Sequence, residues 1–338
     1  MAKLQSNISA LKTLLHSRIL YALCALFVVF GVLSLYVPTV IVWKQGHQLS
    51  EPAPFPVTVD PIQKTITEDP AVEAMFARDY STLSAAAIHA GDFLDILAER
   101  ISATPLYQLL AAADAPKIVL IYPGYRKEEA AHKFGKMLGW DKKGEVAFLE
   151  SLENTPPYLL EGNIAPGAYT VLPETTSGDA SSLVSARFFN TILSRYATST
   201  KKIVPLLDAL TIASIIERET SDTEEMRVIS GIIWNRIFID MKLQIDSTLQ
   251  YAKGTSARWW PAVQPQDMFI ASLYNTYLHT GLPPAPIANP SVAAVLAALN
   301  PKKTDCFFYF HRSGRQFHCS ATYAEHVALL KKYYGRGK

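Results

Sequence analysis

Two glutamates, Glu217 and Glu219, lie within an apolar stretch and are the side chains best suited to acid–base chemistry. The stretch, residues 206–219, reads L-L-D-A-L-T-I-A-S-I-I-E-R-E, and its apolar residues recur at the spacing of a buried helix. Burial among apolar neighbours disfavours the charged form of a carboxylate and raises its pKa. Because a general acid must hold its proton near neutral pH, such a carboxyl group could protonate a leaving group.

Helical geometry points the two carboxylates in different directions. A separation of two residues is a rotation of about 200° around a helix, so both cannot face one cleft. Glu217 shares a face with Leu210 and Ala213, and Glu219 has isoleucines at helical spacing, so geometry alone does not choose between them. The alternative to catalysis is that both are helix-end carboxylates paired with arginines. The candidate arginines are Arg218, Arg227 and Arg236.

The C-terminal part of the chain has a composition typical of a sugar-binding groove. Residues 243–251 read L-Q-I-D-S-T-L-Q-Y, residues 272–277 read S-L-Y-N-T-Y, and residues 281–290 read G-L-P-P-A-P-I-A-N-P. Aromatic rings cover the apolar faces of sugars, amides bind hydroxyl groups, and the prolines would fix a rigid groove wall. A structural proline loop over a core aromatic cluster fits the same composition.

The composition argues against several other classes of protein. The net charge is only +2, from 32 basic and 30 acidic residues, and no basic stripe with interleaved aromatics occurs, so we predict no nucleic-acid partner. The eight histidines form no spaced metal motif, and the sequence has no Walker or G-x-S-x-G pattern. We therefore predict neither a metal nor a cofactor.

An apolar segment near the N-terminus predicts a transmembrane helix. Residues 19–43 carry no charge and would span roughly 37 Å as a helix, more than the ~30 Å hydrocarbon core. A cleavable signal peptide would instead have a shorter apolar region and a small-x-small cleavage site. Because Lys3, Lys12 and Arg18 precede the segment, we expect residues 1–18 in the cytoplasm and the rest of the chain exported.

The exported part is predicted to have an α+β fold, rich in helices and with short strands. Residues 44–56 form a Pro-rich stalk, and residues 154–173 are expected to be a loop. Alternating residues predict strands at 57–60 and 65–67, and the segment K-I-V-L-I-Y predicts a short buried strand at 117–122. Helical periodicity predicts helices at 70–79, 91–101, 128–138, 145–152, 181–196, 224–240 and 291–298.

Residues 306–310 and 316–319 predict a β-hairpin around R-S-G-R. This hairpin would bring Cys306 and Cys319 close together. Export would permit a disulfide between them, and the alternative is two separate small core residues.

Several motifs, in order over residues 206–326, resemble the MltG (YceG-like) family of endolytic murein transglycosylases. They are A-S-I-I-E-R-E-T, G-I-I-W-N-R, M-K-L-Q-I-D-S-T-L-Q-Y, S-L-Y-N-T-Y, G-L-P-P-A-P-I-A-N-P, F-F-Y-F with H-C-S, and a final E-H. The resemblance implies a single N-terminal transmembrane helix, a small LysM-like domain over 57–125 and a catalytic domain over 126–338. It also implies the inner membrane of a bacterial cell as the location, and peptidoglycan strands and cell-wall synthases as partners.

Residues 50–200 match the family only loosely. The segment Y-P-G-Y lacks the glutamate of the usual I-P-E-G turn, and E-G-N-I-A-P-G-A-Y replaces the usual E-G-x-x-x-P-D-T-Y. These departures weaken the inference that the first exported domain binds glycans more than they weaken the inference about the reaction.

The resemblance places the catalytic glutamate at Glu217 and leaves Glu219 as a neighbour. The substrate-binding residues that it implies lie on motif positions that line or support the cleft. They are Asn235, Gln244, Asp246, Tyr274, Asn275 and Tyr277.

The implied reaction cleaves nascent peptidoglycan strands between N-acetylmuramic acid and N-acetylglucosamine. Glu217 would protonate the glycosidic oxygen and then take the proton of the muramyl C6 hydroxyl, which closes onto C1 and leaves a 1,6-anhydro end. Three alternatives stay open. The chain could be a membrane-anchored glycan-binding protein without activity, or a hydrolase with Asp246 as second carboxylate. It could also be a membrane-anchored peptidoglycan-binding scaffold of the cell-wall synthesis machinery without essential catalysis.

Overall fold

The computed structural model describes residues 53–78, 116–312 and 316–335. Within these ranges the protein is a helix-rich α+β structure with short strands, as the sequence predicts. The strands are β1 (Val59–Asp60), β2 (Thr65–Ile66), β3 (Lys117–Ile121), β4 (Gly167–Val171), β5 (Phe308–Arg312) and β6 (Gln316–Ser320). The helices are α1 (Pro70–Arg78), α2 (Lys127–Leu138), α3 (Lys142–Glu153), α4 (Ser177–Thr191), α5 (Thr198–Ile203), α6 (Leu206–Glu219), α7 (Thr223–Phe238), α8 (Asp246–Lys253), α9 (Val292–Leu299) and α10 (Tyr323–Tyr334).

Two predicted helices, the transmembrane segment 19–43 and residues 91–101, lie outside the described residues. Within the ranges given above, no helix combines the length and apolar character that a membrane crossing requires. The LysM-like domain over 57–125 and the other domain boundaries stay predictions.

The strands β3 and β4 form an antiparallel pair in which Lys117 lies opposite Val171 and Ile121 opposite Gly167. This pairing corrects the predicted loop at 154–173, since five of its residues form β4. The segment G-A-Y-T-V is short, and its partner strand lies far earlier in the chain. A local sequence pattern therefore does not predict this strand pairing.

A smaller apolar core lies between the β3–β4 pair and the helices α2, α3 and α4. Phe134 is at its centre, with its ring 5.2 Å from Phe148 and 5.6 Å from Tyr169. The elements around the smaller core follow one another in the chain, from β3 to α4. The smaller core is therefore built mainly from residues 117–191.

The larger core surrounds α6, which packs against α7 and α9. Leu210, Ile212, Ile215 and Ile216 have no exposed surface. Residues 209–216 of α6 are buried, whereas both ends of the helix are partly exposed, and Glu219 is its last residue. The fold therefore buries the middle of the helix and leaves its C-terminal glutamates half-buried at the edge of the core.

Ion pairs attach α1 to the larger core. Arg227 on α7 is 2% exposed and donates to both carboxylate oxygens of Glu73 on α1. Lys302 also donates to Glu73, at 2.6 Å. These partners hold the pKa of Glu73 at about 2, so the carboxylate stays charged throughout the neutral range.

The C-terminal hairpin pairs β5 with β6, with Phe308 opposite Ser320 and Arg312 opposite Gln316. Cys306 and Cys319 form a disulfide across it, with their Cα atoms 5.8 Å apart. The prediction that these two cysteines lie close together is confirmed.

Candidate active site

A cleft of about 390 Å³ opens at the C-terminal end of α6. Its walls come from the end of α6, the segment that leads into α8, and the β5–β6 hairpin with α10. Polar and aromatic side chains line it together, among them Glu219, Gln244, Asp246, Tyr277, Tyr309 and Tyr323. Such a lining fits a ligand that carries both hydroxyl groups and apolar faces.

Glu219 is the carboxyl group of α6 that faces the cleft. Its Oε1 accepts a hydrogen bond from the hydroxyl of Ser247 at 2.8 Å, and its Oε2 accepts one from Tyr309 at 3.1 Å. Burial raises the pKa of Glu219, and the charge of Asp246 adds to this, although both hydroxyl donors act in the opposite direction. Because a hydroxyl can donate to a carboxylate or accept from a carboxylic acid, both protonation states of Glu219 retain their partners.

Glu217 does not line this cleft and binds the start of α9 instead. Its Oε2 accepts hydrogen bonds from the backbone N–H of Ser291 at 2.9 Å and from the Ser291 hydroxyl at 2.6 Å. Burial raises the pKa of Glu217, while the bonds from Ser291 lower it. The structure therefore separates Glu217 from the predicted residues that line this cleft, and its catalytic assignment stays a prediction.

Three of the six predicted substrate-binding residues share the cleft with Glu219. These are Gln244, Asp246 and Tyr277. The hydroxyl of Tyr277 donates to Oδ1 of Asp246 at 2.6 Å, so the two side chains hold each other in place. Gln244 has a left-handed backbone with φ of 48°, and its N–H donates to the carbonyl of Thr276 at 3.1 Å. This contact joins the two motif segments that meet at the cleft.

The predicted residues Asn235 and Asn275 support the site from behind. The amide of Asn235 donates to the carbonyls of Thr304 and Cys306 at 2.8 and 3.1 Å. Asn275 is fully buried and donates to two carbonyls within residues 268–270, at 3.1 and 2.8 Å. Both amides hold loop backbone, which is a positioning role rather than a substrate contact.

The last predicted residue, Tyr274, belongs to a different cluster. Its ring lies 4.7 Å from the ring of Tyr251, and the guanidinium of Arg126 lies 4.1 Å above Tyr251. Tyr274 therefore packs where the chain around α2 meets α8, and not in the cleft.

The proline loop at 281–290 makes structural contacts, as the alternative predicts, and its Pro290 lines a cavity of about 340 Å³ other than this cleft. The N–H of Ile287 donates to Ser214 of α6 at 2.9 Å, and the amide of Asn289 donates to Glu161 at 3.1 Å. Glu161 is completely buried, and burial raises its pKa to about 8. The loop thus connects the two apolar cores and takes no part in lining the cleft.

Several cleft residues were not predicted from the sequence. Tyr309 and Ser247 bind Glu219, and Arg236 donates to the carbonyl of Phe307 at 2.6 Å and so fixes the start of β5. The alternation in F-F-Y-F places Tyr309 on one face of a strand. Only the packing of the hairpin against α6 shows that this face meets Glu219.

Comparisons with a family profile and with known proteins indicate the same family. The profile of the YceG-like family matches residues 58–332. A Bacillus subtilis protein named endolytic murein transglycosylase is 34% identical over 175 residues, which is 52% of this chain and 48% of the relative. A Streptococcus pneumoniae protein of the same name is 31% identical over 166 residues, 48% of this chain and 30% of the relative. The chain thus matches about half or less of the length of these curated relatives.

A solved structure shows the same fold. The 2.6 Å crystal structure of a yceG-like protein from Listeria monocytogenes superposes with a TM-score of 0.56 at 25% identity. The superposition covers 70% of this chain and 81% of that one.

Proposed function

Because the chain belongs to the YceG-like family, we propose that it is a peptidoglycan lytic transglycosylase that cleaves within glycan strands. Two relatives that match about half of the chain are named endolytic murein transglycosylase. The cleft supports the proposal because it combines a carboxyl group of raised pKa with polar and aromatic walls.

In this proposal the acid–base residue is Glu219. The sequence resemblance favours Glu217 instead. The observation that carries it is the position of Glu219 in one cleft with Gln244, Asp246 and Tyr277. Glu217 is bound to Ser291 at the start of α9, where it has the contacts of a structural carboxylate.

The reaction needs one group that first gives and later takes a proton. Protonated Glu219 donates its proton to the glycosidic oxygen between N-acetylmuramic acid and N-acetylglucosamine. The bond from this oxygen to C1 of N-acetylmuramic acid breaks, and the N-acetylglucosamine side leaves as an alcohol. The resulting carboxylate then takes the proton of the muramyl C6 hydroxyl, whose oxygen closes onto C1 and forms the 1,6-anhydro end. Ser247 and Tyr309 donate hydrogen bonds to the carboxylate form of Glu219, and either hydroxyl can accept from the single proton of the carboxylic acid form. This suits a residue that changes its charge twice.

A second candidate is hydrolysis with two carboxylates. It is supported by Asp246, which lines the same cleft as Glu219. The products distinguish the two reactions, since an anhydro end is lighter by one water than a hydrolysed end.

The location is part of the proposal. Residues 19–43 would anchor the protein in the inner membrane of a bacterial cell, with the cleft exported and facing the glycan strands. Cell-wall synthases would be its partners at that surface.

The test compares two conservative variants of the full chain on uncrosslinked glycan strands, with the products identified by mass spectrometry. We expect Glu219→Gln to lower the release of anhydro-ended fragments by at least about 10²-fold, because the amide can neither donate nor accept the required proton. Glu217→Gln is the matched control, and a folded Glu217→Gln protein should retain activity. Loss in Glu217→Gln with activity retained in Glu219→Gln would return the role to Glu217, and hydrolysed ends would favour the second candidate.

A further inference from the structure

The cleft that holds Glu219 also contains three aromatic rings from β5 and α10. The ring of Phe308 lies 5.6 Å from Tyr323 and 5.6 Å from His326, and the rings of Tyr323 and His326 are 6.3 Å apart. All three side chains line the cleft. We call these three residues the aromatic wall.

The aromatic wall is held in position by its surroundings. Tyr323 and His326 are three residues apart on α10, so they lie on one face of the helix. The start of α10 is fixed by Thr322, whose side chain accepts a hydrogen bond from the N–H of Glu325 at 3.2 Å. The guanidinium of Arg236 lies 5.3 Å from the centre of the Phe308 ring. A ligand would therefore meet a surface that is already ordered.

Tyr323 is 64% exposed, although it is a large aromatic side chain in the first turn of α10. Burial in the core does not account for its position. A single exposed ring is common on protein surfaces, but here the ring extends an aromatic surface that enters a cleft with a carboxyl group. Its free area can cover an apolar ligand face.

We propose that the aromatic wall is a sugar-stacking subsite that binds one pyranose ring of a glycan strand beside the bond cleaved at Glu219. This inference rests on the proposed function. The apolar C–H face of a pyranose ring stacks on aromatic side chains, while its hydroxyl and acetamido groups need polar partners. Gln244 and Asp246 offer such partners in the same cleft. The wall would hold the strand in register and would take no part in the proton transfers.

The test measures binding separately from cleavage. Binding of labelled, uncrosslinked glycan strands is measured by fluorescence anisotropy in full-length Glu219→Gln protein, to which single changes of Tyr323 are added. Tyr323→Ala should raise the Kd roughly 5- to 10-fold, because the stacking surface is lost. Tyr323→Phe should bind like the parent protein, since the ring and not the hydroxyl forms the contact. Tyr323→Leu keeps apolar bulk without a flat ring and should be almost as weak as Tyr323→Ala.

Phe189→Ala is the matched control, because Phe189 is 57% exposed on α4 and lies outside the cleft. It should leave the Kd unchanged. In the active protein, Tyr323→Ala should raise KM with kcat almost unchanged, as expected for uniform binding.

The outcomes separate this inference from the proposed function. If the wild-type protein releases no anhydro ends but Tyr323→Ala weakens binding, the proposed reaction fails and the subsite stands. If the wild-type protein cleaves strands but Tyr323→Ala binds as tightly as the parent, the subsite is refuted. Failure of the parent protein to bind strands, or equal weakness of Tyr323→Phe and Tyr323→Ala, would also overturn it.

Discussion

At the scale of single residues, Glu217 and Glu219 show that a raised pKa does not identify a catalytic acid. Burial raises the pKa of both carboxyl groups. What differs is the side chain's surroundings, since Glu217 binds Ser291 and Glu219 faces the cleft. The cleft that Glu219 faces, and not the direction of its pKa shift, distinguishes the two carboxyl groups.

The hydroxyl of Tyr309 should set the pH range of activity. Its hydrogen bond to Glu219 favours the charged form and lowers the pKa that burial raises. Tyr309→Phe removes this bond, so the pKa of Glu219 should rise. Because the acid step needs protonated Glu219, activity is lost as the pH rises through this pKa. The alkaline limb of the pH–rate profile should therefore move to higher pH in Tyr309→Phe.

Ser247→Ala should shift the same limb in the same direction, because Ser247 is the other hydroxyl donor to Glu219. Tyr196→Phe is the control, since it removes a buried tyrosine hydroxyl that donates to Val204 at 2.6 Å, away from the cleft. It should lower stability and leave the limb in place. An alkaline limb that stays fixed in both Tyr309→Phe and Ser247→Ala would contradict the assignment of Glu219.

At the scale of elements, α6 and α9 are joined through one carboxylate. Ser291 is the N-cap of α9, and its Oγ accepts a hydrogen bond from the N–H of Ala294 while its hydroxyl hydrogen is donated to Glu217. The same serine thus satisfies a free backbone donor of one helix and a buried carboxylate of another. The two hydrogen bonds from Ser291, together with the charge of Arg218, favour the charged form of the buried Glu217.

Ser291→Ala should lower the free energy of unfolding by about 1–2 kcal/mol, because it removes both the cap and one bond to Glu217. Chemical denaturation of Ser291→Ala, Glu217→Gln and the double variant measures whether the two losses are coupled. We expect coupling, with activity retained in the folded Ser291→Ala protein.

Thr322→Ala supplies the comparison, since it removes the N-cap of α10 and has no contact with Glu217. Its effect should add to that of Glu217→Gln without coupling. Full additivity between Ser291→Ala and Glu217→Gln would contradict a structural role for Glu217.

The elements also show which features the sequence can predict. Apolar residues at helical spacing predict α6 and α7 because both helices bury wide apolar faces. In G-A-Y-T-V, three residues favour a strand, but the segment is short and its pairing with β3 depends on residues far away in the chain.

The candidate site also combines features that the sequence predicts with features that depend on contacts between distant residues. Gln244, Asp246 and Tyr277 follow from motifs, and helical geometry shows that Glu217 and Glu219 face different ways. Which glutamate meets the cleft depends on the packing of the hairpin and α9 around α6, which no local pattern encodes.

At the scale of the whole molecule, long-range contacts hold separate parts of the chain around α6. Glu73 on α1 binds Arg227 of α7, and the proline loop at 281–290 connects the two apolar cores through Asn289 and Glu161. The hairpin contacts Glu219 through Tyr309. The lining of the cleft comes from α6, α7, residues 244–246, Tyr277, β5 and α10, so displacement of the hairpin would remove part of it.

The disulfide of the hairpin gives a test of how the whole chain is oriented. Cys306, just before β5, and Cys319 of β6 lie 13 residues apart in sequence, with Cα atoms 5.8 Å apart. Such a disulfide persists in an oxidising compartment and is rare in the cytosol. The third cysteine, Cys24, lies in the predicted transmembrane segment 19–43. If residues 1–18 are cytoplasmic, the hairpin is exported and its two thiols are consumed in the disulfide.

Full-length protein isolated from membranes without reductant should therefore have one thiol that alkylates after denaturation, and three after reduction, as counted by mass spectrometry. Cys24→Ser should have none before reduction and two after it. Replacing both hairpin cysteines by serine should lower the free energy of unfolding by roughly 3 kcal/mol, because the unfolded chain regains the freedom of the closed loop. Three reactive thiols in unreduced wild-type protein would contradict export of the hairpin, and with it the orientation that places the cleft against the glycan strands.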